Sequence, residues 1–365
     1  MELGKLIEKL EEIYPTSMAE PWDNTGLMVG YRKKDVKKVM VSIEANEKLI
    51  DEAIEKNVDL IITHHPLIFK KLTRVNTDDL KGREIYKLIR NDMALYSMHT
   101  NFDMAKDGMN DYFMSLIGID GAKSFGVSSV EQLYKVAVFV PENYTESVRE
   151  VMCRSGAGFI GNYSSCTFNI RGKGTFYPEE GTNPFLGTTG ELEFADEVKI
   201  ESVVTQKILK KVIDEMIKAH PYEEVAYDVY RLENEGEKNG VGRIGELDCE
   251  MKLTELAALI KEKLSSDYIR LVGDGEKIVK RVAVVTGAGS EFIGEAKEKR
   301  ADVFITGDLK YHEAQDAVDM GVNILDCGHF ELEYIFKDKM KEFVAQNFEL
   351  EVIESEVELN PFKVI

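Results

Sequence analysis

Apolar positions recur along the chain with two different periods, and these periods predict its secondary structure. In the first segment, MELGKLIEKLEEIY, the spacing predicts an amphipathic helix whose apolar face comprises Leu3, Leu6, Leu10 and Ile13. Further along, short apolar runs rich in Val and Ile are typical of buried strands, and amphipathic helical stretches separate them. This alternation predicts an α/β protein with parallel strands covered by helices.

Two distant segments are similar to each other: KVMVSIEANEKLIDEAIEKNVDLIITHH at 38–65 and RVAVVTGAGSEFIGEAKEKRADVFITGD at 281–308. They align without a gap, and each predicts a strand, a helix and a second strand, followed by a further helix and strand. Generic βαβ patterning is the alternative explanation. We interpret the match as an internal repeat, which predicts two related α/β lobes, residues 1–128 and 236–365, that form one metal-binding domain.

The middle of the chain, residues 129–235, follows a different order. Its pattern predicts strand, helix, two alternating strands, a helix in TQKILKKVIDEMIKAH and a last strand in EEVAYDVYRL. Glycines and charged residues in GVSSVEQ and ENEGEKNGVGRIGEL predict exposed connections at its two ends. We therefore expect a ferredoxin-like α+β domain inserted between the lobes.

Composition and charge narrow the class of protein. No apolar run approaches the roughly 18 residues that a membrane helix needs, and the N-terminus lacks the order of a signal peptide. The four cysteines form no C-x-x-C pair and fit the reduced thiols of a cytoplasmic protein. A net charge of −20 opposes binding to a phosphate backbone. We expect a cytoplasmic protein that binds neither membranes nor nucleic acid.

Histidines concentrate where the predicted parallel strands end. The run DLIITHHPLIF ends in His64 and His65, and Pro66 stops the strand there. Ligands of open α/β sheets collect at this carboxyl edge. Other strand ends carry similar side chains, namely His99, Asp103, Asp308, His312, His329 and Glu333.

Imidazoles and carboxylates together are a ligand set for Zn, Fe, Mn or Ni. His329 and Glu333 share one face if a helix begins at His329, although an isolated histidine at a strand end is commonly a capping or hydrogen-bonding group. The candidate metal ligands are His64, His65, Asp103, His329 and Glu333. One open site needs fewer, and a carboxylate can bridge two cations, so we expect two divalent ions per subunit, with zinc first and Fe, Mn or Ni as alternatives. His99, Asp308 and His312 are expected to support the ligands or contact substrate.

Five motifs occur in order: PWDNTGL, DLIITHHPLIF, HTNFD, ADVFITGDLKYHEAQDA and CGHFELE. Together they resemble the YbgI/YqfO family of dinuclear-metal proteins, whose members carry the name GTP cyclohydrolase 1 type 2 homologue. The resemblance implies that Glu333 bridges two ions, with His64 and His329 on one and His65 and Asp103 on the other. It further implies that the loop around Trp22 borders the metal cavity, that the middle domain is similar to PII or CutA-like domains, and that the subunits form a toroidal homohexamer.

Two classes of function are compatible with these features. The first is a metal-dependent hydrolase in which bound cations activate water and His99 or His312 transfers protons. The resemblance implies a nucleotide-like substrate, through opening of a guanine nucleotide's imidazole ring, while phosphoesterase or amidohydrolase chemistry would suit such a centre equally. The second is a non-enzymatic metal-handling or ligand-sensing regulatory assembly.

Three further motifs are interpreted as structural. VVTGAGSEF lacks the third glycine of a dinucleotide fingerprint and is predicted to be a tight turn. GKG at 172–174 and GTNPFLGTTG at 181–190 do not match a phosphate-binding loop and predict turns, with a small-ligand loop as the alternative.

Overall fold

A computed structural model describes residues 1–364. Their backbone divides into two compact units. The first, called the split unit, comprises residues 1–128 together with those from 239 onward, and the second, called the middle unit, comprises residues 129–238. No helix in the described range is long and apolar enough to cross a lipid bilayer.

The described residues form thirteen strands and twelve α-helices. The strands are β1 (Gly26–Val29), β2 (Lys38–Ser42), β3 (Leu60–Thr63), β4 (Ala94–Ser97), β5 (Lys123–Pro141), β6 (Thr167–Phe176), β7 (Glu193–Thr205), β8 (Tyr227–Lys252), β9 (Arg270–Val272), β10 (Ile278–Ala288), β11 (Val303–Gly307), β12 (Ile324–Asp326) and β13 (Glu351–Glu354). The helices are α1 (Leu3–Ile13), α2 (Glu47–Glu55), α3 (Leu80–Arg90), α4 (Thr100–Met104), α5 (Met109–Leu116), α6 (Thr145–Arg154), α7 (Gln206–Ala219), α8 (Leu253–Lys263), α9 (Ile293–Glu298), α10 (Tyr311–Met320), α11 (His329–Glu333) and α12 (Phe336–Asn347).

The split unit contains a sheet with the order β1–β4–β3–β2–β13. Neighbouring strands from β4 to β13 run parallel, and β1 is antiparallel to β4 at one edge. All four residues of β3 are buried, as expected for a parallel strand covered on both faces. Strand β13, near the end of the chain, was not predicted from the sequence, and it adds a strand to the sheet of the first lobe.

A second group of strands in the split unit has the order β8–β10–β11–β12–β9. Strands β10, β11 and β12 are parallel, while β8 and β9 are antiparallel to their neighbours. The two copies of the repeated sequence are therefore both βαβ units, β2–α2–β3 and β10–α9–β11. The α/β fold class predicted from the sequence is confirmed.

The apolar residues that α1 buries in the core differ slightly from those predicted from the sequence. Leu3, Leu6, Ile7 and Leu10 are fully buried, whereas Ile13 is 38% exposed. Positions i, i+3, i+4 and i+7 form a continuous stripe on a helix with 3.6 residues per turn, and Ile13 lies beyond it. The prediction of a helix is confirmed, and the assignment of Ile13 to its buried face is wrong.

The middle unit has the element order β5–α6–β6–β7–α7–β8. Strand β7 pairs antiparallel with both β5 and β6, and α6 and α7 bury residues such as Val148 and Val212 in its core. GVSSVEQ and ENEGEKNGVGRIGEL, predicted to be loops, lie instead inside the strands β5 and β8. Their polar residues are largely exposed, so strand hydrogen bonding is compatible with a composition typical of loops. The likeness of this unit to PII or CutA-like domains stays a prediction.

Candidate metal centre

The candidate centre lies in the split unit, at the carboxyl ends of its strands. His64 and His65 directly follow β3, and the His65 N–H donates to the carbonyl of Ile43 at 2.7 Å. Thr63 fixes the same turn, because its hydroxyl donates to the His65 carbonyl at 2.8 Å. Both histidines thus leave the strand at the point where it turns, as the sequence predicts. His99 follows β4 in the same way.

Two short helices supply the other candidate ligands. Asp103 lies on α4, and His329 and Glu333 are the first and last residues of α11, so they share a face as predicted. Gly287, at the end of β10, makes room for the Glu333 carboxylate: a Cβ there would lie 2.3 Å from Oε1, and its φ is +70°. The segment VVTGAGSEF, which contains Gly287, therefore leaves space for a candidate metal ligand, a role that its turn pattern did not predict.

The first group of donor atoms lies around Nε2 of His64. This nitrogen is 3.5 Å from Oε1 of Glu333 and 3.7 Å from Oδ1 of Asp103. His64 Nε2 and Asp103 Oδ1 are both buried and have no hydrogen-bond partner. The other ring nitrogen, Nδ1, lies 2.8 Å from the carbonyl oxygen of Met98. A carbonyl can only accept, so Nδ1 carries the proton and Nε2 presents its lone pair to the two carboxylates.

The second group surrounds the other oxygen, Oε2 of Glu333. His65 Nε2 lies 2.8 Å from it and His329 Nε2 lies 3.0 Å from it, while the two nitrogens are 3.4 Å apart. Each imidazole has a further carboxylate on its Nδ1 side: Asp308 at 2.9 Å from His329, and Glu44 at 3.8 Å from His65. Asp308 was expected near the ligands. Glu44 was missed, because nothing in its local pattern marks it.

Burial and neighbouring charges shift the pKa values within the first group. Burial lowers the pKa of His64 to about 4, so its imidazole is neutral at pH 7. For Asp103, burial and the adjacent carboxylates raise the pKa well above its usual range. For Glu333, burial acts in the same direction, but the surrounding histidines outweigh it and lower the pKa well below its usual range.

In the second group the histidine pKa values are raised, whereas the pKa of His64 in the first group is lowered. Burial lowers the pKa of His65, but the hydrogen bond to Glu333 and the nearby Glu44 carboxylate outweigh it and raise the value to about 10. Burial also lowers the pKa of His329, and its two carboxylate partners raise it to about 9. In the metal-free chain both imidazoles are therefore cationic at pH 7 and lie on either side of the ionised Glu333.

The ligand grouping implied by the family resemblance stays a prediction. In the structure His64 lies beside both Asp103 and Oε1 of Glu333, while His65 and His329 lie beside Oε2 of Glu333.

His99 is held beside the centre by a buried carboxylate. Its Nδ1 lies 2.8 Å from Oδ1 of Asp23, and its ring centroid is 5.2 Å from that of His64. Asp23 also accepts hydrogen bonds from the Thr100 N–H and hydroxyl. Burial alone would raise the pKa of Asp23, but these hydrogen bonds lower it to about 2. The Trp22 ring, 61% exposed, lies 6.2 Å from His99.

His312 stands apart from this arrangement. It is exposed on α10, and its Nδ1 lies 3.2 Å from the side-chain oxygen of Gln315. Within residues 1–364, no hydrogen bond or ring contact joins it to the five candidate ligands. The structure therefore offers no support for His312 as a proton-transfer group.

A cavity of about 710 Å³ adjoins the second group of donors and is lined by His65, His329 and Asp308 among other residues. The rest of its wall contains the aromatic side chains of Tyr268, Phe330 and Phe362. It also contains two cations, Arg270 and Lys363, and three carboxylates, Glu44, Asp326 and Glu331. Arg270 forms an ion pair with Asp326 and keeps 60% of its side chain exposed.

The donor set suits a divalent metal ion. The atoms of His65, His329 and Glu333 lie close enough together to bind one ion, and so do those of His64, His65 and His99. Neutral imidazole nitrogens and carboxylate oxygens are the ligands that Zn, Fe, Mn and Ni prefer. The two unpaired buried atoms of His64 and Asp103 add a donor pair that has no protein partner.

Comparison with known proteins gives a consistent assignment. The sequence profile of the Duf34/NIF3 (NGG1p interacting factor 3) family matches residues 1–361. A protein named GTP cyclohydrolase 1 type 2 homolog from Halalkalibacterium halodurans is 44% identical, and the alignment covers 99% of this chain and 98% of that protein. The protein of the same name from Bacillus subtilis is 42% identical, and the alignment covers 98% of this chain and 97% of that protein. The crystal structure of a Bacillus cereus protein related to NIF3 matches with a TM-score of 0.91 and 40% identity, covering 100% of this chain and 99% of that one. The resemblance seen in the motifs is confirmed, and the chain belongs to the Duf34/NIF3 family.

Proposed function

We propose that this chain is a hydrolase that depends on two divalent cations, one bound by His64 and Asp103, the other by His65 and His329, with Glu333 shared. The observation that carries this proposal is the pair of buried, unpaired atoms, His64 Nε2 and Asp103 Oδ1, which are 3.7 Å apart. Buried polar atoms are normally hydrogen-bonded, and leaving one unpaired costs about 1–3 kcal/mol. A bound cation would satisfy both atoms at once.

The surroundings of the ligands support the same assignment. The Met98 carbonyl fixes the tautomer of His64, and Asp308 does the same for His329, as outer partners of metal-binding histidines commonly do. Zinc is the first choice for a site of imidazole and carboxylate donors, with Fe, Mn and Ni as alternatives. When bound, such cations lower the pKa of water toward neutrality and polarise the atom under attack.

The chain's own side chains supply positioning and proton transfer. Asp23 holds Nδ1 of His99, which orients the ring and leaves Nε2 as the nitrogen that exchanges a proton. The Asp23–His99 pair is held in place because Asp23 is buried and accepts a hydrogen bond from the Thr100 hydroxyl. His99 therefore takes the acid–base role in the proposed reaction.

The adjoining cavity supports a nucleotide-like substrate. Aromatic rings such as Tyr268 and Phe330 suit a purine or pyrimidine face, and Arg270 with Lys363 suits phosphate groups. The relatives' name, GTP cyclohydrolase 1 type 2 homolog, agrees with this substrate class. The same cations would also serve phosphoester or amide hydrolysis, so the bond that is cleaved must be measured.

The experiment compares metal content with turnover. Purified protein is loaded with Zn²⁺ or Mn²⁺ and incubated with GTP and a panel of phosphoesters and amides, and formate, phosphate and ultraviolet absorbance are followed. We expect turnover that Glu333→Gln abolishes, while the exposed His312→Ala variant retains it. Two bound ions without turnover on any substrate would instead favour the metal-handling assembly. Turnover unchanged in Glu333→Gln would show that the activity belongs to a contaminant.

A further inference from the structure

The middle unit contains a cavity of about 340 Å³ that is unrelated to the metal centre. Ligand pockets for small molecules begin at about this size. Four aromatic rings line it, and we call it the aromatic pocket: Phe176, Tyr177, Phe185 and Tyr222. The ring of Tyr222 lies 6.1 Å from both Phe176 and Phe185, so these rings face a common space.

The polar side chains of the aromatic pocket carry one sign of charge. Its carboxylates are Glu179, Glu197, Glu223 and Glu224. None of the lining residues, all of which fall in the described range, is Lys, Arg or His. The cationic side chains of β6 and β7 are engaged elsewhere, since Arg171, Lys173 and Lys199 pair with Glu142, Asp196 and Glu201.

One of these carboxylates is built into the pocket. Glu197 is only 8% exposed, and it accepts a hydrogen bond from the Tyr222 hydroxyl at 2.9 Å. Gly174 makes room for it, because a Cβ there would lie 2.2 Å from its Oε2. This glycine belongs to the GKG segment, and Phe185 belongs to GTNPFLGTTG, the two segments for which a small-ligand loop was the alternative.

We infer that the aromatic pocket binds a small organic cation, such as an alkyl- or aryl-ammonium. The faces of aromatic rings attract cations through their quadrupole, and several rings together form the usual site for quaternary ammonium groups. The carboxylates that line the pocket, with no Lys, Arg or His among the lining residues, add attraction of the same sign. A neutral or anionic ligand of equal size would gain the contact area but not this electrostatic term.

The test is isothermal titration of the full-length protein with benzyltrimethylammonium, compared with 2-phenylethanol and phenylacetate as neutral and anionic probes. We expect the cation to bind about tenfold more tightly than the neutral probe, and the anion more weakly still. N-acetyl-arginine amide tests whether a protein side chain is the true occupant, and tighter binding of that probe would overturn the assignment to a small ammonium ligand. Equal binding of all probes, or no saturable binding, would also overturn it.

Substitutions in the aromatic pocket test whether the cationic probe binds there. Phe185→Ala removes a ring that is 47% exposed, and Glu224→Gln removes an exposed charge, so neither should disturb folding. We expect each to weaken binding of the cation by about threefold to tenfold. Matched controls are Phe168→Ala and Glu233→Gln, an exposed ring and an exposed carboxylate of the same unit that do not line the pocket. An equal loss in the controls would show that the probe binds elsewhere.

Discussion

Metal loading should release protons in a number that the structure sets. In the metal-free centre His65 and His329 are cationic at pH 7, because their pKa values are raised to about 10 and about 9. Burial and the neighbouring carboxylates raise the pKa of Asp103 well above its usual range. Metal ions bind the deprotonated forms. Loading both ions should therefore release at least about two protons per chain, one from each of the two imidazoles.

The sign and size of the pH dependence follow from this count. Each released proton makes the loading free energy more favourable by about 1.4 kcal/mol per pH unit, so two give about 3 kcal/mol between pH 7 and pH 8. His64 adds nothing, since its pKa is lowered to about 4 and its nitrogen is already free. Histidines and carboxylates with ordinary pKa values would together release less than about one proton at pH 7.

The assay mixes metal-free protein with two equivalents of ZnCl₂ in weakly buffered solution that contains a pH-indicator dye. The variant Asp103→Asn should release no more protons than the natural chain, because the pKa of Asp103 is raised and the amide that replaces it does not titrate. The variant His312→Ala should match the natural chain, because that exposed side chain contacts Gln315 and not the centre. Release of less than about one proton by the natural chain would refute the charge assignment of the centre.

Further predictions concern the residues that position the ligands. Gly287→Ala should displace the Glu333 carboxylate and weaken metal binding by about tenfold or more, as measured by competition with a chelating dye. The control is Gly294→Ala, which should leave metal binding unchanged because its added Cβ meets no atom within 4 Å. Arg243→Met leaves four backbone carbonyls and Asp111 without their donor, so urea unfolding should show a loss of about 3–5 kcal/mol, and a loss below about 1 kcal/mol would contradict this. Asp23→Asn should lower turnover about tenfold or more and shift its pH profile while the metal content stays constant; an unchanged profile would remove Asp23 from the mechanism. The subunits should form a homohexamer in light scattering, and a monomer would contradict the expectation drawn from the family resemblance.

The sequence allowed the centre to be predicted where chemistry and periodicity coincide. His64 and His65 end a buried run before a proline, and His329 and Glu333 have helical spacing, so the residue types and the strand edge point to the same place. Asp103 was found because a histidine precedes it at a neighbouring strand end. Parallel strands of one sheet align their carboxyl ends, so the proximity of His64 and Asp103 follows from the fold class. The approach of His329 and Glu333 does not, because they follow a strand of the other sheet.

Features that depend on packing between distant segments could not be predicted. Glu44 and Gly287 have ordinary local sequences, and their roles appear only when a side chain from another segment reaches them. The grouping of ligands depends on how the Glu333 carboxylate is turned, which no spacing encodes. Strand β13 joins β2 across most of the chain length, and its short apolar run gives no sign of the partner.

The central claim is that two cations share Glu333 within one centre. Anomalous diffraction at the zinc edge, from crystals of the zinc-loaded chain, tests it most directly. The account predicts two peaks, one between His64 Nε2 and Asp103 and the other between the Nε2 atoms of His65 and His329, with one oxygen of Glu333 facing each. A single peak, or none among these five side chains, would contradict it.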